Sequence, residues 1–148
     1  MSGRRGAGQA LSLAAFGVVN ASAYLGGELA YTRGVGVSHV AWQEPPSRFT
    51  PVCDLVELEQ GVPARRQAKG VPVVLVRQGA RIHALGAVCP HAGGPLDEGT
   101  VEDGCLTCPW HDSSFSLEDG SVRRGPAVVP AVHFETRIRA GKVEVRAN

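Results

Sequence analysis

The sequence predicts a mostly β domain of short antiparallel strands, preceded by one N-terminal α-helix. Three observations carry this expectation. The 148 residues include 19 Gly and 10 Pro but only 5% aromatics, which suits short strands and many turns rather than a helical bundle. Glu102-Asp103-Gly104, Glu118-Asp119-Gly120 and Ala140-Gly141 are hairpin signals. Residues 6–27, by contrast, contain no charged residue and have the length of a helix.

Size and charge set the outer limits. The chain has room for one compact domain and a short appendage, not for a catalytic domain of several hundred residues. A net charge of +1 gives no reason to expect a nucleic-acid partner. No feature calls for a small-molecule substrate.

The helix comes first. As an α-helix, residues 6–27 would span about 33 Å, enough to cross a bilayer core. The segment is only moderately apolar, with Gln9, Ser12, Asn20 and Ser22 inside it, and 13 of its 22 residues are Gly, Ala or Ser. Small residues let helices approach closely in lipid, so the segment suits packing against other helices. A membrane helix is the favoured reading. A signal sequence competes: Arg4-Arg5 precede the apolar run and Ala21-Ser22-Ala23 offers a cleavage site, although Gly6-Ala7-Gly8 lacks the bulky apolar pair usual after twin arginines. A buried or disordered soluble segment is the third. Tyr24-Leu25-Gly26-Gly27-Glu28 through Tyr31 and Gly34-Val35-Gly36-Val37 resemble the end of the last transmembrane helix in a family of small, uncharacterised multi-helix bacterial membrane proteins. That resemblance implies a chain that begins inside a longer protein.

The expected boundaries are a helical segment over 1–37, a linker over 38–50 and a β domain over 51–148. The linker rests on the polar, proline-broken stretch Gln43-Glu44-Pro45-Pro46-Ser47-Arg48. Val71-Pro72-Val73-Val74-Leu75-Val76 reads as a buried strand, turning at Gln78-Gly79, with Ile82-His83-Ala84-Leu85 pairing back on it. Val132, Phe134 and Ile138 share an alternating face, and Lys142-Val143-Glu144-Val145 follows the Ala140-Gly141 turn.

The chemistry lies in Cys89-Pro90-His91 and Cys108-Pro109-Trp110-His111. The spacing is Cys-x-His, sixteen residues, then Cys-x-x-His. Two loops each present one thiol and one imidazole. Such a set suits a Cys₂His₂ zinc site or a [2Fe–2S] cluster with two Cys on one iron and two His on the other. A zinc finger groups its cysteines and then its histidines, whereas mixed pairs let two similar loops close over a binuclear cluster. Cys105 forms a Cys-x-x-Cys with Cys108 but is expected to be a small buried hydrophobe, as is Cys53. His39, His83 and His133 are expected on the surface or packed in the fold, not as ligands.

Cys89-Pro90-His91-Ala92-Gly93-Gly94-Pro95-Leu96 and Cys108-Pro109-Trp110-His111 resemble the two boxes of Rieske iron–sulfur proteins, and Gly125-Pro126-Ala127 resembles the proline loop that covers their cluster. The resemblance runs over about residues 50–148. It implies an antiparallel β-sandwich or barrel of three small sheets with two cluster-binding loops at one tip. It implies one [2Fe–2S] cluster, with Cys89 and Cys108 on one iron and His91 and His111 on the other. Ser113, Trp110, Gly125 and Pro126 are then the surrounding positions. Respiratory members carry a disulfide at the places of Gly94 and Trp110, so its absence implies the ferredoxin type or the cluster domain of an oxygenase. Ser113 matches a serine that hydrogen-bonds a cluster sulfur, and Phe115 stands where respiratory members have tyrosine.

Between Arg81 and Arg123 there is no Lys or Arg, while Asp97, Glu98, Glu102, Asp103, Asp112, Glu118 and Asp119 lie in that interval. The cluster end is therefore expected to be acidic, to depress the potential and to attract a redox partner, a reductase or oxygenase, with a basic docking face. The expected function is that of a membrane-tethered, ferredoxin-like carrier of single electrons. A cluster-bearing subunit or fragment of an oxygenase and a redox-sensing or zinc-stabilised interaction module are the alternatives. The missing disulfide favours the cytoplasmic side of a membrane, with export through a twin-arginine-like signal as the runner-up.

Overall fold

A computed structural model describes residues 2–32, 34 and 38–147. Arg33 and residues 35–37, part of the stretch expected to close a membrane helix, lie outside the described residues. The chain divides into two compact units, residues 1–37 and 38–148.

The first unit is the helix α1, Ser2–Gly27, ending in a π turn at Glu28–Thr32. No proline interrupts it, and its small residues cost little side-chain entropy. Asn20 folds back, its Nδ2 donating to the Phe16 carbonyl at 2.8 Å. Leu11, Leu13, Phe16, Val18, Val19, Tyr24 and Leu25 are all exposed. Gly6–Ala30 is long and apolar enough to cross a membrane, with a mean hydropathy of 1.3.

Among the described residues the second unit holds ten antiparallel strands in two sheets. The larger contains β1 (Thr50–Asp54), β2 (Ala64–Ala68), β3 (Val71–Gln78), β4 (Arg81–Gly86), β9 (His133–Arg139) and β10 (Lys142–Ala147), in the order β1-β10-β9-β4-β3-β2. Its end strands β1 and β2 approach each other, so the sheet curls into a nearly closed barrel. The smaller contains β5 (Thr100–Glu102), β6 (Cys105–Thr107), β7 (Ser114–Ser116) and β8 (Val122–Arg124), in sequence order. Two sheets thus replace the three expected. The joint is β4 with β9, where Ala84 faces Phe134 and Leu85 faces His133, while β9 also pairs with β10 along its length.

Burial explains the apolar run in β3. Val71, Val73 and Leu75 point into the barrel beside Ile82, Ala84, Phe134, Val143 and Val145. Val74 and Val76 point the other way, toward Leu85, Leu96, Leu106, Phe115 and Leu117 between the sheets. A strand covered on both faces has no polar alternation to show. Cys89 and Cys108 belong to this second core, at its edge with the loops. The hairpins β5–β6 and β9–β10 turn at Asp103-Gly104 and Ala140-Gly141, each pair with positive φ at both residues, as a two-residue type I′ turn demands.

Candidate metal centre

Two loops meet at one end of the smaller sheet. The first follows β4 and runs from Ala87 to Pro95, ahead of a 3₁₀ turn at Leu96–Glu98. The second joins β6 to β7. They share one backbone frame. The Cys89 N–H donates to the Gly94 carbonyl at 2.8 Å, and the Gly93 N–H to the Cys89 carbonyl at 2.9 Å. The Cys108 N–H donates to the Ser113 carbonyl at 2.8 Å, and the Asp112 N–H to the Cys108 carbonyl at 3.2 Å. The residue four beyond each cysteine is left-handed, φ +78° at Gly93 and +57° at Asp112. Glycine takes that conformation freely and aspartate tolerates it, so each loop folds back over its own cysteine. The proline after each cysteine gives up an N–H that the frame does not use.

The frame sorts the four candidate ligands by depth. Cys89 and Cys108 are each 1% exposed, and their thiols lie within hydrogen-bonding reach of each other. His91 is half-buried and His111 exposed, with ring centroids 5.1 Å apart and ring planes at 89°. Nδ1 of His91 is buried with no hydrogen-bond partner among the described residues. An orphaned buried imidazole nitrogen beside a second imidazole has the chemistry of a metal donor. Burial pushes the Cys89 thiol above its ordinary value and Cys108 adds to the rise, while the backbone N–H groups of His91 and Ala92, directed at its sulfur, act the other way. Two buried cysteines side by side could both be held as thiolates only by a cation between them.

Among the described residues no group of three or more His, Cys, Asp or Glu side chains could hold one metal ion. A binuclear cluster asks for something else, two ligands per iron, and the site offers two deep sulfurs and two outer imidazoles.

The surrounding positions are also placed. Gly94 is packed so closely that a Cβ would stand 2.8 Å from Cys108 Sγ and 3.2 Å from the Trp110 ring. The two positions that carry a disulfide in respiratory members are therefore neighbours here, with an indole against a glycine. Trp110 is half exposed and edge-on to His111, centroids 6.4 Å apart. Ser113 is fully buried, and its Oγ accepts the Ala127 N–H at 3.0 Å, tying the Gly125-Pro126 loop to the second loop. Gly125 and Pro126 are exposed, and the bond between them is cis. Phe115 is fully buried beneath the loops.

The other histidines and cysteines fall elsewhere. His83 is buried, its Nδ1–H donating to the Leu117 carbonyl at 3.1 Å. Cys53 and Cys105 are half-buried rather than sealed, because each sits on a short strand with one face toward solvent. The acidic interval is partly neutralised by residues that linear order keeps apart from it. Asp97 pairs with Arg65 at 2.8 Å and Glu118 with Arg81 at 3.2 Å, and Arg124 Nε donates to the Asp112 carbonyl at 3.1 Å. His39 is exposed, as expected, and its ring lies against Gly93, a contact that sequence reasoning could not name because fifty-odd residues and no motif separate the two.

Comparison with known proteins agrees with this architecture. The sequence matches the Rieske [2Fe–2S] domain over residues 48–139. The ferredoxin subunit of anthranilate 1,2-dioxygenase from Burkholderia cepacia is 34% identical over 99 residues, 67% of this chain and 92% of its own length. Apoptosis-inducing factor 3 of Mus musculus is 34% identical over 97 residues, 66% of this chain, which spans only 16% of that protein. The ferredoxin of carbazole 1,9a-dioxygenase from Nocardioides aromaticivorans superposes with a TM-score of 0.65 at 27% identity, covering 69% of this chain and all of its own. With residues 48–139, more than half of the chain, matched to this domain and its fold reproduced, the chain belongs to the Rieske [2Fe–2S] family.

Proposed function

We propose that this chain is a ferredoxin-type carrier of single electrons, held at a membrane by α1, that serves a reductase and an oxygenase component. Cys89 and Cys108 would hold one iron of a [2Fe–2S] cluster, and His91 and His111 the other. The observation that carries this reading is the repeated loop frame, which buries two thiols side by side and sets two imidazoles outside them. Relatives of the same domain length are ferredoxins of dioxygenase systems.

When bound, the cluster supplies reversible one-electron chemistry. The chain's own residues do the rest. The second core keeps water from the two cysteines. The N–H groups of His91 and Ala92 stabilise negative charge on the Cys89 sulfur. Ser113 anchors the 125–127 loop through Ala127 and keeps its own O–H free to donate toward the cluster sulfurs. His111 and Trp110 reach solvent, so the imidazole side is where a partner meets the electron path. Glu98 and Asp112 are exposed at that end and suit a basic docking face. Glu102, Asp103, Glu118 and Asp119, in the β5–β6 and β7–β8 turns, lie at the opposite end of the smaller sheet, so the acidic interval is split by the fold rather than gathered at the cluster end. The lack of a disulfide suits a cytoplasmic placement.

The test is the ligand set itself. His91→Cys and His111→Cys replace neutral imidazoles with thiolates. Each is expected to drive the reduction potential well below the Rieske range of about −150 to +300 mV and to change the visible spectrum. A variant with wild-type spectrum and potential would remove that histidine from the ligand set.

A further inference from the structure

The domain match begins at residue 48, yet the compact unit begins at Ser38. The ten residues between are bonded to the fold at both ends. At one end the Ala147 N–H of β10 donates to the Pro46 carbonyl at 2.8 Å, and Pro46 is buried. Just beyond, Phe49 lies under two guanidiniums, Arg137 at 4.1 Å and Arg146 at 4.7 Å. In the middle the Gln43 N–H closes a turn onto the Val40 carbonyl at 3.1 Å. At the other end the His39 N–H donates to the Pro90 carbonyl at 3.4 Å, between Cys89 and His91. The His39 ring, exposed on its outer side, stands 3.4–3.6 Å from where a Gly93 Cβ would be and lies over the notch that glycine leaves in the first loop.

We infer that residues 38–47 form a strap over the first cluster loop and that His39 is a positioning residue for the electron-transfer site. The strap holds Pro90 and Gly93 from outside, while the second loop holds Gly94 from the opposite side through Cys108 and Trp110. The first loop is thereby clamped between two contacts, only one of which lies within the matched domain. Two consequences follow. The clamp slows the opening through which solvent and oxidants reach Cys89. It also dries the loop, and water admitted at Pro90 would stabilise negative charge there. Removing the ring should therefore shorten the life of the cluster and raise its potential.

This inference rests on the ligand reading above. The test uses the full-length protein with its cluster, comparing wild type, His39→Ala and His39→Phe. The readouts are the decay of visible absorbance in aerated buffer and the reduction potential. His39→Ala is expected to lose colour several-fold faster than wild type and to shift upward in potential. His39→Phe, which keeps a ring over Gly93, is expected to restore the lifetime. A coloured His39→Ala protein with wild-type lifetime and potential would overturn the strap while leaving the ligand reading intact. Equal lifetimes for the Ala and Phe variants would likewise remove the ring from its role. A colourless wild-type protein would instead overturn the ligand reading on which the strap depends.

Discussion

The tightest contact at the metal centre is made by a residue with no side chain. Any Cβ at Gly94 meets Cys108 Sγ at 2.8 Å and the Trp110 ring at 3.2 Å, and the sulfur is held in the core. Gly94→Ala is therefore expected to cost about 1–3 kcal/mol through overpacking. Iron content per protein should fall with it, because the strain lands on a thiol of the site. Wild-type iron content and melting temperature would show that the loops can part freely. Ser113→Ala is a different loss. It strands the Ala127 N–H in a buried place, at about 1–3 kcal/mol, and removes an O–H donor from the cluster end, so stability and reduction potential should both drop. Voltammetry showing an unchanged potential would confine Ser113 to holding the 125–127 loop. These residues differ in how legible they were. The Cys-Pro pairs and the histidines after them are local patterns, readable in a line. The Gly94–Trp110 contact was readable only as a pair of positions named by resemblance. His39 and Arg124 reach the loops through space, and no periodicity or spacing marks them.

At the scale of elements, strands buried on one or both faces were legible and edge strands were not. Val71–Gln78, Arg81–Gly86 and Lys142–Ala147 extend the apolar runs that pointed to them by one or two residues. Ala64–Ala68 reads Ala-Arg-Arg-Gln-Ala and shows no apolar alternation, because it is an edge strand whose Arg65 and Gln67 face water and whose ladder to β3 supplies the structure. The division of the strands into two sheets depends on β4 meeting β9, a pairing about fifty residues apart that no local signal encodes. Two predictions belong to single elements. Cys105 lies half-buried on β6, opposite Ser116 of β7, with its strand fixed by the backbone ladder on both sides. Cys105→Ala should keep the full visible spectrum and cost less than about 1 kcal/mol; loss of iron from a folded variant would make Cys105 a ligand. In the β7–β8 turn, the Ser121 hydroxyl at 2.7 Å and its N–H at 3.0 Å hold the Asp119 carboxyl down at about 2, below an ordinary value of 3.8. A depressed carboxyl stabilises the fold fully above its ordinary value and loses that contribution as pH falls through the folded one. The turn should thus weaken between about pH 4 and pH 2, and Ser121→Ala should move the Asp119 titration upward in an NMR pH series. An Asp119 that titrates at its ordinary value in the wild type would contradict the turn geometry.

At the scale of the whole molecule the two units differ in what they bury. The second unit closes two cores of its own and covers them with charged hairpins, so it has the means to fold in water alone. In α1 the span from Gly6 to Ala30 is long and apolar enough to cross a membrane, and its large apolar side chains, Leu11, Leu13, Phe16, Val18 and Val19 among them, are exposed. The expectation for such a helix is that lipid or other helices cover its apolar side chains. The boundary between the units matters for separating them. A cut in the proline-broken stretch near Ser47, which the sequence suggests, would remove His39 and the Pro46 carbonyl along with the helix. A cut before Ser38 keeps both. The expectation is that the full chain partitions into the membrane fraction and needs detergent. A chain beginning at Ser38 should remain in solution without detergent, carry the cluster's visible colour, and melt at a higher temperature than a chain beginning at Ser47. The three are compared by sedimentation of lysed membranes, absorbance and thermal unfolding. Full-length protein in the soluble fraction would refute the membrane reading of α1. An insoluble or colourless chain from Ser38 would mean that the helix completes the domain rather than tethering it.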